Sequence, residues 1–287
     1  RLWNAQALDG LPRRAGSVEP QGAQISSEHR FPLFPSGDCH ASTCRQRMVL
    51  RTLSGYDLIF DHDESSYQMP TPTPEQLEEA ACNPSLVRIE DFNPHASIPH
   101  GVTTAHICGA MNEFIGFIRM VNQRMHENGT PRFESILMPA NFSSIVGEFM
   151  SAGIPKQCAT IVKNRYHNGH PDMIPAGRFP NDSVQHAQDG IEIKGSRYLK
   201  GWQGHNPENT WLMVFIFDSN RPVDESQEIG PKPFRFLRVL GAQLTEDDWQ
   251  FAGRSETSRR TITAAVKDSG YQKMMANWIY NAPGLPR

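Results

Sequence analysis

Two stretches that lie close together in the chain decide the fold that we expect: Pro171-Asp172-Met173-Ile174-Pro175 and Asp189-Gly190-Ile191-Glu192-Ile193-Lys194-Gly195-Ser196-Arg197. In the second stretch two isoleucines alternate with Glu192 and Lys194. Because successive side chains of a β-strand point to opposite faces, this alternation predicts a strand with the isoleucines on one face and the charged side chains on the other. The two charged residues then lie roughly 6.5–7 Å apart, at ~3.3 Å per residue.

The charged residues of these stretches suit metal-assisted hydrolysis. A metal ion placed between Asp172 and Glu192 would have Lys194 beside it, where the amine could orient or polarise a water for attack on a phosphodiester. The sequence therefore predicts a hydrolytic site at this pair of strands.

These residues resemble the PD-(D/E)xK nuclease family, in which Pro-Asp and Glu-x-Lys lie on adjacent strands and hold one or two Mg²⁺ ions. The resemblance covers about residues 141–217. It implies an α/β fold with a restriction-endonuclease-like core, a central mixed β-sheet flanked by helices. It also implies Mg²⁺ as cofactor, with Mn²⁺ as a substitute, and hydrolysis that leaves a 5′-phosphate and a 3′-hydroxyl.

The resemblance implies roles for individual residues. Asp172 and Glu192 would bind the metal through oxygens, with the main-chain carbonyl of Ile193 as a further ligand. Lys194 would help to hold and activate the water. Family members often carry another metal-site acid on a preceding helix, and Glu148 is the candidate here.

The surrounding sequence predicts the elements of such a core. Residues 157–163 are typical of a short strand, and the polar residues 164–170 of a turn into Asp172. Residues 210–217 are apolar without alternation, which indicates a strand covered on both faces. Residues 141–150 indicate a short helix that carries Glu148 and is capped by Asn141 or Ser143.

Basic and amide side chains near these elements are predicted to contact DNA. In the segment that follows the second stretch, Arg197 and Lys200 suit phosphate contacts and Gln203 could read a base edge. The alternative is that this segment is a polar loop with Trp202 packed against the core. Residues 249–263 contain Arg254, Arg259 and Arg260, which could form a phosphate clamp or read the major groove. The alternative is that this segment forms a strand and a helix that close the core. Residues 177–188, which connect the two predicted active-site strands, form either a loop that contacts DNA or a surface loop without that role.

We divide the chain into three parts: a flexible leader at 1–40, a mainly helical N-terminal part at 41–135 that packs on the core, and the catalytic core with a C-terminal DNA-contacting segment at 136–287. A helix and a short strand are expected within 45–60.

Four further elements are expected. Thr73 caps a helix with Pro74 in its first turn. A long amphipathic helix runs from Thr103 or Thr104 to about Glu127, and it packs on the sheet or takes part in dimerisation. The remaining two are a strand at 234–240 and a terminal helix at 270–280.

Three other clusters contain metal-ligand residue types. Cys39 to Cys44 has no second ligand pair for zinc, and it is interpreted as a loop or helix start. Asp61 to Glu64 is interpreted as a solvated acidic turn, with metal binding as the alternative. His167, Asn168 and His170 superficially suggest an HNH-type nuclease, but their spacing is wrong for one. We interpret these histidines as lying at the mouth of the predicted site or as turn residues.

Composition sets the class of protein. The chain has 287 residues, of which 38% are hydrophobic, enough for a real core. Its net charge is −3, yet residues 151–205 hold 7 Lys+Arg against 4 Asp+Glu, or +3, where a phosphate backbone would need it. The five cysteines show no Cys-x-x-Cys pair, and no apolar run approaches the ~18–20 residues of a membrane span. We expect a soluble protein in the reducing cytoplasm.

Among nucleases we expect a type II restriction endonuclease that cuts double-stranded DNA at a specific sequence. There is no P-loop motif, and the size suits a stand-alone subunit. Such an enzyme would act as a homodimer on a palindromic target and would have a companion DNA methyltransferase. The alternatives are a DNA repair or mobile-element nuclease of the same fold and a non-catalytic DNA-binding protein with this fold.

Overall fold

The computed structural model describes residues 47–51, 57–61, 71–204, 207–252 and 263–286. The predicted leader, the Cys39 to Cys44 cluster and residues 62–64 therefore lie outside the described residues. The described residues belong to two compact units, divided between Met69 and Pro70.

In the first unit, strands β1 (Arg47–Arg51) and β2 (Asp57–Asp61) pair antiparallel, with Met48 opposite Phe60. The helix expected within 45–60 is wrong for residues 47–51. Their apolar run of three residues between arginines is too short for a helix, and it matches the apolar run of β2 in register.

The second unit is built on a mixed six-stranded sheet with the order β11-β8-β7-β5-β4-β3. Its strands are β3 (Ile161–Lys163), β4 (Met173–Pro175), β5 (Ile191–Ser196), β7 (Thr210–Asp218), β8 (Arg235–Leu244) and β11 (Trp278–Asn281). Only β5 and β7 run parallel among these pairs. The prediction of an α/β fold with a mixed central sheet is confirmed.

Helices cover one face of this sheet. The helices packed on it are α2 (Thr104–Glu127) and α4 (Pro139–Gln157), with the short α3 (Phe133–Ile136) beside them. Helix α1 (Pro74–Ala81) precedes them, and its C-cap residue Cys82 contacts α2 at Asn122. Thr73 caps α1 as predicted, and Thr103 caps α2, each in a reciprocal capping box. The apolar stripe of α2 packs with α4 against the isoleucines of β5, so its expected role in the core is confirmed.

The other face carries a smaller sheet and the last helix. The small sheet has the order β6-β10-β9, from β6 (Gln203–Gly204), β9 (Trp249–Ala252) and β10 (Thr263–Val266), and α5 (Asp268–Ala276) lies beside it. Alternate residues of β7 pack into the two cores: Met213 and Phe215 toward the helices, Leu212 and Val214 toward the small sheet. The prediction that this strand is covered on both faces is confirmed.

Three predicted boundaries are wrong. Helix α4 runs from Pro139 to Gln157, so most of the strand expected at 157–163 is absent. Its first residue is a proline, whose fixed φ suits a helix start, and its N-cap residue Met138 makes no side-chain cap bond, so neither Asn141 nor Ser143 caps it. The terminal helix stops at Ala276, because the residues of β11 pair with β8 instead.

No helix in the described part of the chain is long and apolar enough to cross a bilayer.

Candidate active site

The carboxylates predicted to hold a metal come from adjacent strands. Asp172 directly precedes β4, and Glu192 and Lys194 lie in β5, which pairs antiparallel with β4 through Met173 and Ile191. The isoleucines of β5 are buried in the helix-side core, and the two charged side chains face the other way as the alternation predicted. All three charged residues line one pocket of about 500 Å³.

Hydrogen bonds fix these three side chains. Lys194 Nζ donates to Glu192 Oε1 at 3.0 Å. The backbone N–H of Ile193 donates to Asp172 Oδ2 at 2.8 Å, which joins the end of β4 to the middle of β5. The carbonyl of Ile193 as a metal ligand stays a prediction.

Two further side chains, those of His170 and Glu208, join this cluster of charged residues. His170 Nδ1 lies 3.0 Å from Glu192 Oε2, and His170 Nε2 lies 3.2 Å from Glu208 Oε2. The imidazole stacks on His186 with ring centroids 5.3 Å apart. Glu208 precedes β7 in an irregular segment without periodicity, so no local pattern could have indicated it; His170 was expected only at the mouth of the site.

A close helix–strand contact places Glu148 at the pocket rim. A Cβ built on Gly195 would lie 2.3 Å from the carbonyl oxygen of Ser143, so only glycine lets α4 approach β5 this closely. The side chain of Glu148 lines the pocket but is 68% exposed, and Glu148 Oε2 lies 2.5 Å from Lys163 Nζ. Glu148 is therefore a rim residue paired with a lysine in this structure.

Burial and charge move the pKa values of the two central carboxylates apart. Burial and the neighbouring charge of Glu192 raise the pKa of Asp172 to about 7, against the opposing effects of the Ile193 N–H and Lys194. Burial also acts to raise the pKa of Glu192, but the hydrogen bond from His170 and the charge of Lys194 outweigh it and lower the pKa to about 2. Glu192 is thus the ionised member of the pair and Asp172 the one that holds a proton near neutrality.

The pKa values of the two basic residues beside these carboxylates are raised. Burial acts to lower the pKa of His170, but its hydrogen bond with Glu192 and the negative charges around it raise the pKa above the ordinary value. Burial likewise acts to lower the pKa of Lys194, and the charge of Glu192 and a hydrogen bond with it raise that pKa instead. Both side chains therefore act as internal counter-ions for Glu192.

The donor set suits a hard divalent cation only in part. Mg²⁺ is commonly held by one or two carboxylates together with waters, and Asp172 and Glu192 supply such a pair. No group of three or more His, Cys, Asp or Glu side chains in the described ranges is arranged to hold a metal. Both oxygens of Glu192 contact basic groups, so a cation at Glu192 would lie beside the positive charges of Lys194 and His170.

The residues predicted to contact DNA have different surroundings. Arg197 donates to the carbonyl oxygens of Ser219 and Asn220, and its guanidinium lies over the rings of Phe142 and Phe217. These contacts hold the guanidinium of Arg197 against the core, and its role as a phosphate contact stays a prediction.

The other residues of that prediction divide into two groups. Lys200 and Gln203 are exposed, whereas Trp202 is buried and donates to the carbonyl of Tyr198, as the alternative interpretation expected. Arg254, Arg259 and Arg260 lie outside the described residues.

Comparisons of the chain with protein-family models, with curated proteins and with solved structures give no match, so the resemblance carried by Asp172, Glu192 and Lys194 stays a prediction.

Proposed function

We propose that this protein is a divalent-metal-dependent endodeoxyribonuclease of the PD-(D/E)xK type. The observation that carries the proposal is the convergence of Asp172, Glu192 and Lys194 from adjacent strands in one pocket. A carboxylate pair with a lysine beside it is the set that hydrolysis of a phosphodiester needs: ligands for a cation and a group that positions water.

Each residue has a distinct role in this proposal. Asp172 and Glu192, with the carbonyl of Ile193, would hold Mg²⁺ or Mn²⁺, which would supply neutralisation of the charge that grows on the phosphate. Lys194 would position the attacking water through its ammonium, and its hydrogen bond to Glu192 holds the amine beside a carboxylate that would bind the cation. Glu192 thereby serves both as a ligand and as the anchor of Lys194.

The charge of the pocket supports a cation requirement. Four carboxylates line it, together with two lysines and two histidines: Glu148, Asp172, Glu192, Glu208, Lys163, Lys194, His167 and His170. Like charges a few ångströms apart repel strongly where water is partly excluded. A divalent cation would offset the repulsion between these carboxylates and an entering phosphodiester.

Within this class we propose a type II restriction endonuclease that acts as a homodimer on a double-stranded palindromic site and has a companion methyltransferase. A repair or mobile-element nuclease would use the same site chemistry. The non-catalytic DNA-binding alternative is supported by one observation: both oxygens of Glu192 are already paired with Lys194 and His170.

The test is incubation of the protein with a panel of plasmid and phage DNA in Mg²⁺, beside EDTA and a Lys194→Ala variant. Lys156→Ala is the matched control, because this lysine is exposed on α4 and pairs with Glu113 away from the pocket. Discrete fragments that require Mg²⁺ and Lys194, and persist with Lys156→Ala, would support a sequence-specific nuclease. A smear would indicate a non-specific or structure-selective nuclease, and binding without cutting would favour the non-catalytic alternative.

A further inference from the structure

The loop between β3 and β4, residues 164–170, forms one wall of the pocket and is held from within by Asn164. The side chain of Asn164 is buried and accepts hydrogen bonds from the backbone N–H groups of Tyr166 and Val184. It also donates to the carbonyl oxygens of Pro171 and Val184. With both its oxygen and its nitrogen used twice, the amide fixes the shape of the β3–β4 loop.

Further contacts fix the two ends of the β3–β4 loop. The N–H of Arg165 donates to the carbonyl of Asp182, and the N–H of His170 donates to the carbonyl of Gln185. Gly169 lies so close to Asn164 that a Cβ would come within 2.5 Å of its side-chain nitrogen. The His170 side chain then contacts Glu192 inside the pocket. The loop is thus rigidly attached to the candidate catalytic carboxylate.

The tip of this rigid loop exposes four side chains that could contact a ligand. Arg165, Tyr166, His167 and Asn168 are exposed, and the last three line the pocket mouth. Within the described part of the chain, none of these four side chains makes a hydrogen bond or ion pair. Because Asn164 already fixes the backbone of this loop, a ligand that contacts the tip has only the four exposed side chains left to order.

We propose that the tip of the β3–β4 loop is a contact element for double-stranded DNA, placed beside the phosphate to be cut; this inference rests on the proposed nuclease function. Arg165 contacts a backbone phosphate, and Tyr166, His167 and Asn168 contact sugars or base edges. The interior of the pocket is acidic, so the phosphates that flank the scissile one need contacts on the rim.

A rigid loop also favours a duplex as its partner. Single strands are bound mainly by stacking of flexible bases on aromatic platforms, whereas one aromatic ring and three polar groups at a fixed rim suit the regular backbone of a duplex. Through His170, the same loop joins the DNA contact to Glu192.

The experiment measures binding of the wild-type protein and its variants to labelled random-sequence pools of duplex and of single-stranded DNA. Fluorescence anisotropy is recorded with Ca²⁺ in place of Mg²⁺ and over a range of salt. The variants are Arg165→Ala, Tyr166→Ala and Tyr166→Phe. Arg124→Ala is the matched control, because this arginine is 79% exposed on α2 and does not line the pocket. The three side chains changed in these variants are exposed, so melting temperatures are expected to stay within a few degrees.

Arg165→Ala should weaken binding about 10-fold at low salt and reduce the slope of log affinity against log salt by about 0.9, because one phosphate contact is lost. Tyr166→Ala should weaken binding by a similar factor without changing the slope, and Tyr166→Phe should restore most of it. Arg124→Ala should change neither quantity.

The possible failures are distinguishable. Loop variants that bind the duplex pool as tightly as Arg124→Ala, while the wild type binds well, would overturn the inference and leave the nuclease proposal standing. Loss of affinity for a single-stranded pool alone would overturn the assignment to duplex DNA. A wild-type protein that binds no DNA would contradict the proposed function itself.

Discussion

His170 and Glu192 form the central ion pair of the site, with Nδ1 of the imidazole 3.0 Å from Oε2 of the carboxylate. The pair joins the β3–β4 loop to β5, and on its other side His170 reaches Glu208 at 3.2 Å. One imidazole therefore balances two carboxylates from separate segments. Removing it leaves both partly buried acids without their shared counter-ion.

We expect His170→Ala to destabilise the metal-free protein by about 1–3 kcal/mol near pH 6, because the carboxylates lose their partner. The pKa of His170 is higher in the folded protein than in the unfolded chain. Its contribution to the free energy of unfolding is therefore complete at a pH below its pKa in the unfolded chain. That contribution is lost as the pH rises through its pKa in the folded protein. The difference in melting temperature between wild type and His170→Ala should therefore shrink toward pH 9.

Thermal unfolding in EDTA from pH 5.5 to 9 measures this difference. The exposed His95 provides the control variant His95→Ala, which should follow the wild type. Mn²⁺ should raise the melting temperature of His170→Ala more than that of the wild type, since the cation replaces the missing counter-ion. A His170→Ala protein as stable as the wild type at pH 6 would contradict the prediction.

Asp172→Asn should stabilise the metal-free protein at alkaline pH. The folded-state pKa of Asp172 is about 7, against an ordinary value of 3.8, so the unfolded chain releases this proton more readily than the folded one. The free energy of unfolding therefore falls as the pH rises between these two pKa values. Above about pH 7 the folded protein carries the full destabilisation from the ionised, buried Asp172. We expect a gain of about 1–3 kcal/mol at pH 8 and little gain near pH 4.

Denaturant unfolding in EDTA at the two pH values tests this expectation. Asp247→Asn is the control, because Asp247 is exposed and lies outside the pocket. In Mn²⁺ the gain should disappear or reverse, since the variant lacks a carboxylate for the cation. An equal effect at both pH values would show that ionisation of Asp172 is not its cause.

Breaking the buried ion cluster next to the helical layer should strongly destabilise the second unit. Arg132 is 3% exposed and pairs with Glu134, which is 0% exposed, at 2.8 Å; it also pairs with Glu78 and donates to Asn220. Removing one partner of such a cluster leaves a buried charge without compensation. We expect Glu134→Ala to cost about 3–5 kcal/mol in denaturant unfolding.

The exposed pair of Arg124 and Glu127 offers the comparison, with the same 2.8 Å separation at the surface of α2. Glu127→Ala should cost no more than about 0.5 kcal/mol. Similar losses for the two glutamates would show that burial does not determine the energetics of these pairs.

The sequence predicted those parts of the site that are local in the chain. The alternation around Glu192 and Lys194 is a property of one strand, and the unbroken apolar run of β7 requires cover on both faces, so both could be predicted without tertiary information. Glu208 could not be found this way, because its position depends on how the segment before β7 meets the β3–β4 loop. The packing of Arg197 could not be predicted for the same reason, because its carbonyl partners follow β7 and are remote in sequence.

Gly195→Ala should disrupt the site through the backbone of α4. Its Cβ would lie 2.3 Å from the carbonyl oxygen of Ser143 and 3.0 Å from Cβ of Val146, and a helix backbone cannot move aside cheaply. We expect a loss of about 1–3 kcal/mol and a displacement of Glu148 from the rim. Gly116→Ala is the control, because nothing lies within 4 Å of its Cβ and alanine favours the middle of α2; it should stabilise by up to about 1 kcal/mol. Denaturant unfolding of both variants compares the two glycines directly, and a neutral Gly195→Ala would mean that α4 does not hold this close approach to β5.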